Sequence, residues 1–211
     1  MSLILEDISI SPKNAPPLFA PLSLNLNAGE IGTIMGPSGV GKSTLLDAIA
    51  GHLPAGFTCQ GQVILNGRNL KNLPAESRRV GLMFQDAVLF PHLSVGDNLA
   101  FGLRAQIKNR DIRRQLVEQA LEQAGLVGMA GRDPASLSGG QRARAALMRT
   151  LLAGPDALLL DEPFSKLDAG LRAEMRAFTY DHIRANNIPA LMVTHDVQDA
   201  QGTHGPVLHL G

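Results

Sequence analysis

The chain has 211 residues and a mass of 22.4 kDa, and its 19 basic and 19 acidic side chains cancel to zero net charge. That balance lacks the basic surplus of a dedicated nucleic-acid binder, and no stretch approaches the ~18 consecutive apolar residues of a membrane span. A chain of this length buries roughly 70% of its open surface on folding, and its single cysteine, Cys59, has no partner for an internal disulfide, so a reducing compartment is expected.

The opening Met1-Ser2-Leu3-Ile4-Leu5-Glu6-Asp7 has no basic stretch and turns acidic at once, so no leader peptide is expected. Residues 3–10, 22–26 and 63–65 alternate apolar with polar side chains between Pro12, Pro16, Pro17, Pro21, Gly29 and Gly61, which predicts a half-exposed antiparallel layer. Residues 31–35, 80–84, 157–160, 190–193 and 207–210 are instead short continuous apolar runs, the pattern of strands buried on both faces of a parallel sheet. From about 91 to 134 the strand signal disappears. Ile112, Leu116, Ala120, Leu121 and Ala124 recur at helical spacing, and Gly125 stands where a helix should end. The run Arg104, Lys108, Arg110, Arg113 and Arg114 reads as a solvated helical face, with phosphate or lipid-headgroup contact as its alternative.

Gly36-Pro37-Ser38-Gly39-Val40-Gly41-Lys42-Ser43 follows the run 31–35 directly and fits the pattern G-x-x-x-x-G-K-[ST]. Its glycines let successive backbone N–H groups curl inward onto phosphate oxygens. Lys42 is expected at the β- and γ-phosphates, the Ser43 hydroxyl on Mg²⁺, and Thr44 at the start of a helix whose positive end faces the anion. Leu158-Leu159-Leu160-Asp161-Glu162-Pro163 then delivers two carboxylates to the sheet edge where ligands of open α/β sheets bind. Asp161 is placed to hold Mg²⁺ through water, and Glu162 to act as general base on an attacking water.

These motifs leave several nucleotide-hydrolysing classes open, although the absence of N-K-x-D counts against a GTPase. Leu137-Ser138-Gly139-Gly140-Gln141 separates them, because here the sequence resembles the ABC ATPases. The resemblance covers nearly the whole chain: the phosphate loop, Gln85, the LSGGQ signature, Asp161-Glu162-Pro163, Asp168 and His195 come in the family's order. It implies an α/β P-loop NTPase with a mostly parallel sheet, an N-terminal antiparallel β layer and an inserted helical subdomain. The whole of 1–211 is expected as one ATPase domain: 1–90 and 150–211 form the RecA-like core, 91–149 the helical signature subdomain, and no C-terminal regulatory domain follows.

Further roles are implied by the resemblance. Ser138, Gly139, Gly140 and Gln141 face the γ-phosphate held by the phosphate loop of a partner copy, so two ATP molecules are sandwiched in a head-to-tail homodimer. Gln85 senses Mg²⁺ and the attacking water, Asp168 lies at the dimer seam, and His195 contacts the γ-phosphate; taken bare, a histidine after a strand is more often structural. The importer branch is indicated by Arg132-Asp133-Pro134-Ala135-Ser136 before the signature and by Leu89-Phe90-Pro91-His92-Leu93-Ser94-Val95 after Gln85. An importer's ATPase works against integral membrane permease subunits at the cytoplasmic face of the membrane, with an extracellular or periplasmic substrate-binding protein engaged indirectly. Some of Leu89, Phe90, Leu93 and Val95 are expected in the core and others in the groove that receives the permease. A non-transport ABC ATPase acting as a nucleotide-switched interaction module is the alternative, but only about 93 residues separate the phosphate loop from the signature, too few for an inserted coiled coil.

One departure stands out. The family's base-stacking aromatic residue falls here at Lys13, and no aromatic residue precedes Phe19. Either Phe19 stacks from a shifted loop or Leu18 covers the base, which implies loose base selectivity. The transported substrate is not legible in this chain.

Overall fold

The structure is a computed structural model that describes residues 1–210. The chain divides into two compact units: the first comprises residues 1–82, 156–162 and 180–211, the second residues 83–155 and 163–179. The second unit takes in the 91–149 segment expected to be helical and extends past it at both ends. No helix among the described residues is long and apolar enough to cross a membrane.

The first unit holds two sheets. One is antiparallel, ordered β2-β1-β4-β5, with β1 (Ser2–Pro12), β2 (Leu22–Asn27), β4 (Phe57–Leu65) and β5 (Arg68–Asn69). Its core-facing residues change parity along β1, from Leu3 and Leu5 to Ile8 and Ile10, because a bulge around Asp7 shifts the register against both neighbours, between Leu5 and Ile8 on β2 and between Glu6 and Ser9 on β4. In β2 alternation is strict: Leu22, Leu24 and Leu26 are buried and the residues between them exposed.

The other sheet is ordered β6-β7-β8-β3-β9, from β6 (Val80–Met83), β7 (Ala157–Asp161), β8 (Ala190–Thr194), β3 (Ile31–Met35) and β9 (Val207–His209). The pairs β7–β8, β8–β3 and β3–β9 are parallel. Every residue of β3 and β8 is buried, which is why these strands read as unbroken apolar runs rather than alternating ones. The helix α1 (Lys42–Ala50) packs Leu45, Leu46 and Ile49 into the same core. At its far end, Arg78 of the short α2 (Ala75–Arg78) donates to the carbonyls of Ala48 and Ile49, satisfying acceptors that the helix cannot.

The second unit packs α3 (Val95–Gly102), α4 (Arg110–Gln123) and α5 (Gly139–Leu152) around Val95, Leu99, Val117, Leu121, Ala145 and Met148. Helix α4 ends as the sequence suggests: Gly125 adopts φ +67°, and its N–H and that of Leu126 return to the carbonyls of Glu122 and Leu121. The basic run is only partly a solvated face. Arg104 donates to the carbonyls of Ala153 and Gly154, and Arg113 to those of Ile107 and Ala100. The last helices, α6 (Ala169–Ala185) and α7 (Val197–Gln201), follow β7 and β8; α6 runs from the second unit into the first at Tyr180.

Candidate functional site

β3 ends at Met35, and the loop 36–41 turns the chain into α1. Gly41 caps that helix at φ 104°, a conformation that strains any residue with a Cβ, and a Cβ there would also run into Leu18. No side chain caps α1, and its first turn holds no acidic residue. The helix therefore presents its first amides and its positive end uncompensated, which suits an anion. Lys42 is buried at 6% exposure; its Nζ donates to the carbonyls of Gly36 (2.8 Å) and Pro37 (3.0 Å) and lies 3.7 Å from Oε1 of Glu162.

The carboxylates come from the end of β7. Ser43 Oγ donates to Oδ1 of Asp161 at 3.0 Å. Burial pushes the Asp161 carboxyl above the ordinary carboxylate range; the Ser43 bond and Lys42 pull it down, while Glu162 and Asp47 push it further up. Glu162 has a left-handed backbone, φ 43°, which costs a residue with a Cβ roughly 1–2 kcal/mol. Its N–H is tied to the carbonyl of Val193 at 3.0 Å, and its Oε2 lies 3.1 Å from Nδ1 of His195 at the end of β8. That strained turn holds one carboxylate between a buried ammonium and an imidazole.

His195 is braced by residues that sequence reasoning passed over. The buried Thr194 hydroxyl accepts from the N–H of Asp196 at 3.0 Å and donates to Asp199 Oδ2 at 3.1 Å. Asp196 Oδ1 accepts from the N–H of Gln198 and so caps α7. Tyr180 donates its hydroxyl to the carbonyl of Asp199 at 2.8 Å. The visible signal was an acidic cap right after the histidine, in Thr194-His195-Asp196.

Lys42, Ser43, Asp161, Glu162 and His195 thus meet in the first unit. Gln85, the signature and Asp168 belong to the second. There Gln85 Nε2 donates to Ser165 Oγ at 3.1 Å, and Asp86 pairs with Lys166 beside it, a contact the sequence did not announce. Ser138 and Gln141 form a reciprocal capping box at the start of α5: Ser138 Oγ accepts from the N–H of Gln141, and Gln141 Oε1 accepts from the N–H of Ser138. Gly139 is exposed with open space around it, whereas a Cβ at Gly140 would collide with the side chain of Leu171. Asp168 Oδ1 accepts from the N–H of Leu171 at 3.0 Å, as a cap of α6.

Lys13 is exposed, Phe19 is buried at 7% exposure, and half-buried Leu18 lies against Gly41, so none of the three residues weighed for the base offers an exposed aromatic face. In the segment after Gln85, Leu89 and Val95 are core, while Phe90 and Leu93 are half-buried. Arg149 lies 4.9 Å over the Phe90 ring and donates to the carbonyl of Val88, and Phe101 meets Phe90 edge-on at 4.7 Å. The exposed apolar residues here, Phe84, Val88 and Phe101, were not singled out from the sequence. Phe84 was placed at the end of a strand, but β6 stops at Met83.

Comparison with known proteins agrees with this reading. The profile of the family described as ABC transporter matches residues 19–165. An uncharacterised ABC transporter ATP-binding protein of Escherichia coli K12, YnjD, is 50% identical over 182 residues, which is 86% of this chain and 83% of that protein. The thiamine import ATP-binding protein ThiQ of Ruegeria sp. TM1040 is 45% identical over 177 residues, covering 84% of this chain and 75% of that protein. Among solved structures, a dimeric post-hydrolysis state of the ATP-binding cassette MJ0796, bound to ADP and Pi, superimposes with a TM-score of 0.80 at 26% identity, over 99% of this chain and 94% of that one. A phosphate loop and two carboxylates at one sheet edge, an LSGGQ helix start and these relatives lead to one conclusion: the chain belongs to the ABC transporter family and is an ATPase of that family.

Proposed function

We propose that this chain drives an importer: ATP closes two copies head to tail over two nucleotides, hydrolysis reopens them, and a separate permease follows the movement at the cytoplasmic face of the membrane. The observation that carries the reading is the cluster of Lys42, Ser43, Asp161, Glu162 and His195 at the sheet edge next to an uncapped helix start. The import direction is supported by the thiamine import relative at 45% identity.

The phosphates lie in the loop Gly36, Pro37, Ser38, Gly39, Val40 and Gly41, on the N–H groups of its residues other than Pro37, which has none, with Lys42 released from its carbonyls onto the β- and γ-phosphates and Thr44 in the first turn of α1. Glu162 takes a proton from the attacking water as the new P–O bond forms and the bond to ADP breaks. His195, its side chain 57% exposed, reaches the γ-phosphate. Ser138, Gly139, Gly140 and Gln141 of one copy meet the γ-phosphate of the other, since an exposed helix start at Ser138 and Gly139 is itself an anion site. Asp168 lies at the seam, and Gln85 links nucleotide state to the docking surface for the permease.

Ser43 and Asp161 fit Mg²⁺. Their oxygens, 3.0 Å apart, are hard donors, and a desolvated carboxylate beside two others is costly until a cation joins it. Bound there, Mg²⁺ would neutralise charge on the phosphate oxygens.

Three outcomes are expected. Aliphatic cover by Leu18 forgoes a stacking contribution of about 1–3 kcal/mol, so ATP and GTP should be turned over at comparable rates; a strong preference for ATP would contradict it. Asp161 has a raised folded value, so the folded chain binds more protons between that value and the unfolded one, and its stability falls as pH rises through that window. Nucleotide-free Asp161→Asn should therefore melt above the wild type at pH 7 and converge with it toward the ordinary carboxylate value; equal melting at neutral pH would remove the argument. Phe101→Asp, at an exposed site in the second unit, should abolish uptake in proteoliposomes containing the permease while basal ATP turnover continues. Undiminished uptake would sink the proposed docking surface.

A further inference from the structure

A second concave site lies in the first unit at the opposite end of α1 from the phosphate loop. It is a cleft of about 300 Å³, lined by Ile8, Ala48, Leu53 and Val63 as an apolar floor and by Lys71, Asn72 and Arg78 as polar groups. A volume of this order is at the lower end for small-molecule sites, and an apolar floor with a few converging polar groups is their usual composition. The remaining lining residues are Gly51, Cys59 and Gly61, so no carboxylate faces the two cations.

The polar groups have unmet capacity. Arg78 is buried at 8% exposure; its Nε donates to the carbonyl of Leu73 and its Nη1 to those of Ala48 and Ile49. Among the described residues, none accepts a hydrogen bond from its Nη2, and the side chains of Lys71 and Asn72 make none. The carbonyl end of α1 disfavours an anion by itself. Arg78 lines the cleft and offsets that end through its two bound nitrogens, with Nη2 outside those bonds and the Lys71 charge additional. One guanidinium nitrogen with two N–H donors, an ammonium and an amide over an aliphatic floor match a ligand with an anionic head and an apolar body.

We propose that this cleft binds a small organic anion, a phosphomonoester or carboxylate on an apolar group, at a site separate from the nucleotide. The conformation that forms it is demanding: Gly61 sits at φ +88°, where a Cβ would collide with the carbonyls of Glu6 and Asp7 at the β1 bulge. Gly51 equally leaves room for the Arg78 guanidinium.

Cys59 provides the readout, because it lines the cleft and is the chain's only cysteine. The phosphate loop is first saturated with Mg-ADP, and alkylation of Cys59 by iodoacetamide is followed with phenyl phosphate as probe. Protection scales as 1 + [L]/Kd, so with a Kd on the order of 1 mM a probe at ~10 mM should slow the reaction about tenfold. In Lys71→Glu, an exposed substitution that spares the fold, protection should drop below about twofold. No slowing in the wild type, or equal slowing in Lys71→Glu, would overturn the proposal. Inorganic phosphate protecting as well as phenyl phosphate would overturn the part assigned to the apolar floor.

Discussion

At the sheet edge beside α1, groups of both charges are taken out of water together. The helix begins without a side-chain cap, its lysine is buried against two carbonyls, and Asp161 and Glu162 stand side by side at the end of β7. Lys42 and His195 flank Glu162, while the Ser43 hydroxyl and the Lys42 charge support Asp161, whose carboxyl burial still drives upward. Each of these features costs stability, and under the proposed function a polyphosphate and a divalent cation would relieve it. The parallel sheet serves this arrangement: β3, β7 and β8 are buried along their lengths, and their ends release the phosphate loop, the carboxylate pair and His195 at one edge.

Glu162 shows how the fold fixes the chemistry. Its left-handed backbone is held by the bond from its N–H to Val193, so the strain is imposed by strand pairing rather than by the loop that follows. His195 is fixed from the other side, by the Thr194 and Asp199 bond and by the acidic cap of α7. Asp199 is also anchored by Tyr180, the chain's one tyrosine. The Glu162–His195 pair, 3.1 Å apart, thus rests on two strands and two helices.

Much of this was legible in the residues because strong local rules and tertiary demand agree. Strands buried on both faces gave unbroken apolar runs, and the glycine-rich loop lies between a strand and a helix as its pattern requires. The first strand was legible only in part. Its apolar positions change parity between Leu5 and Ile8, which is the mark of a bulge, yet the segment reads as one alternating run. β4 begins at Phe57, ahead of the 63–65 alternation: Phe57 and Cys59 continue the same period, but they are only half-buried and Gly61 interrupts the apolar series. Contacts that depend on distant chain segments had no sequence signal: Lys166 on Asp86, Gln85 on Ser165, and Arg78 on the end of α1. Nor did the exposure of Phe101, since an apolar residue on a short helix is ordinarily assigned to the core.

Under the proposed function the signature helix start and the phosphate loop each contribute half of an anion site, and the central claim is that two copies complete both halves around ATP. The most direct measurement is the mass of Glu162→Gln in solution with and without Mg-ATP. With hydrolysis slowed, closure should shift the protein from a 22.4 kDa monomer to about 45 kDa, and removal of the nucleotide should reverse it. A variant that binds ATP tightly yet stays at the monomer mass would contradict the account, because each copy would then hold its nucleotide without the other's signature.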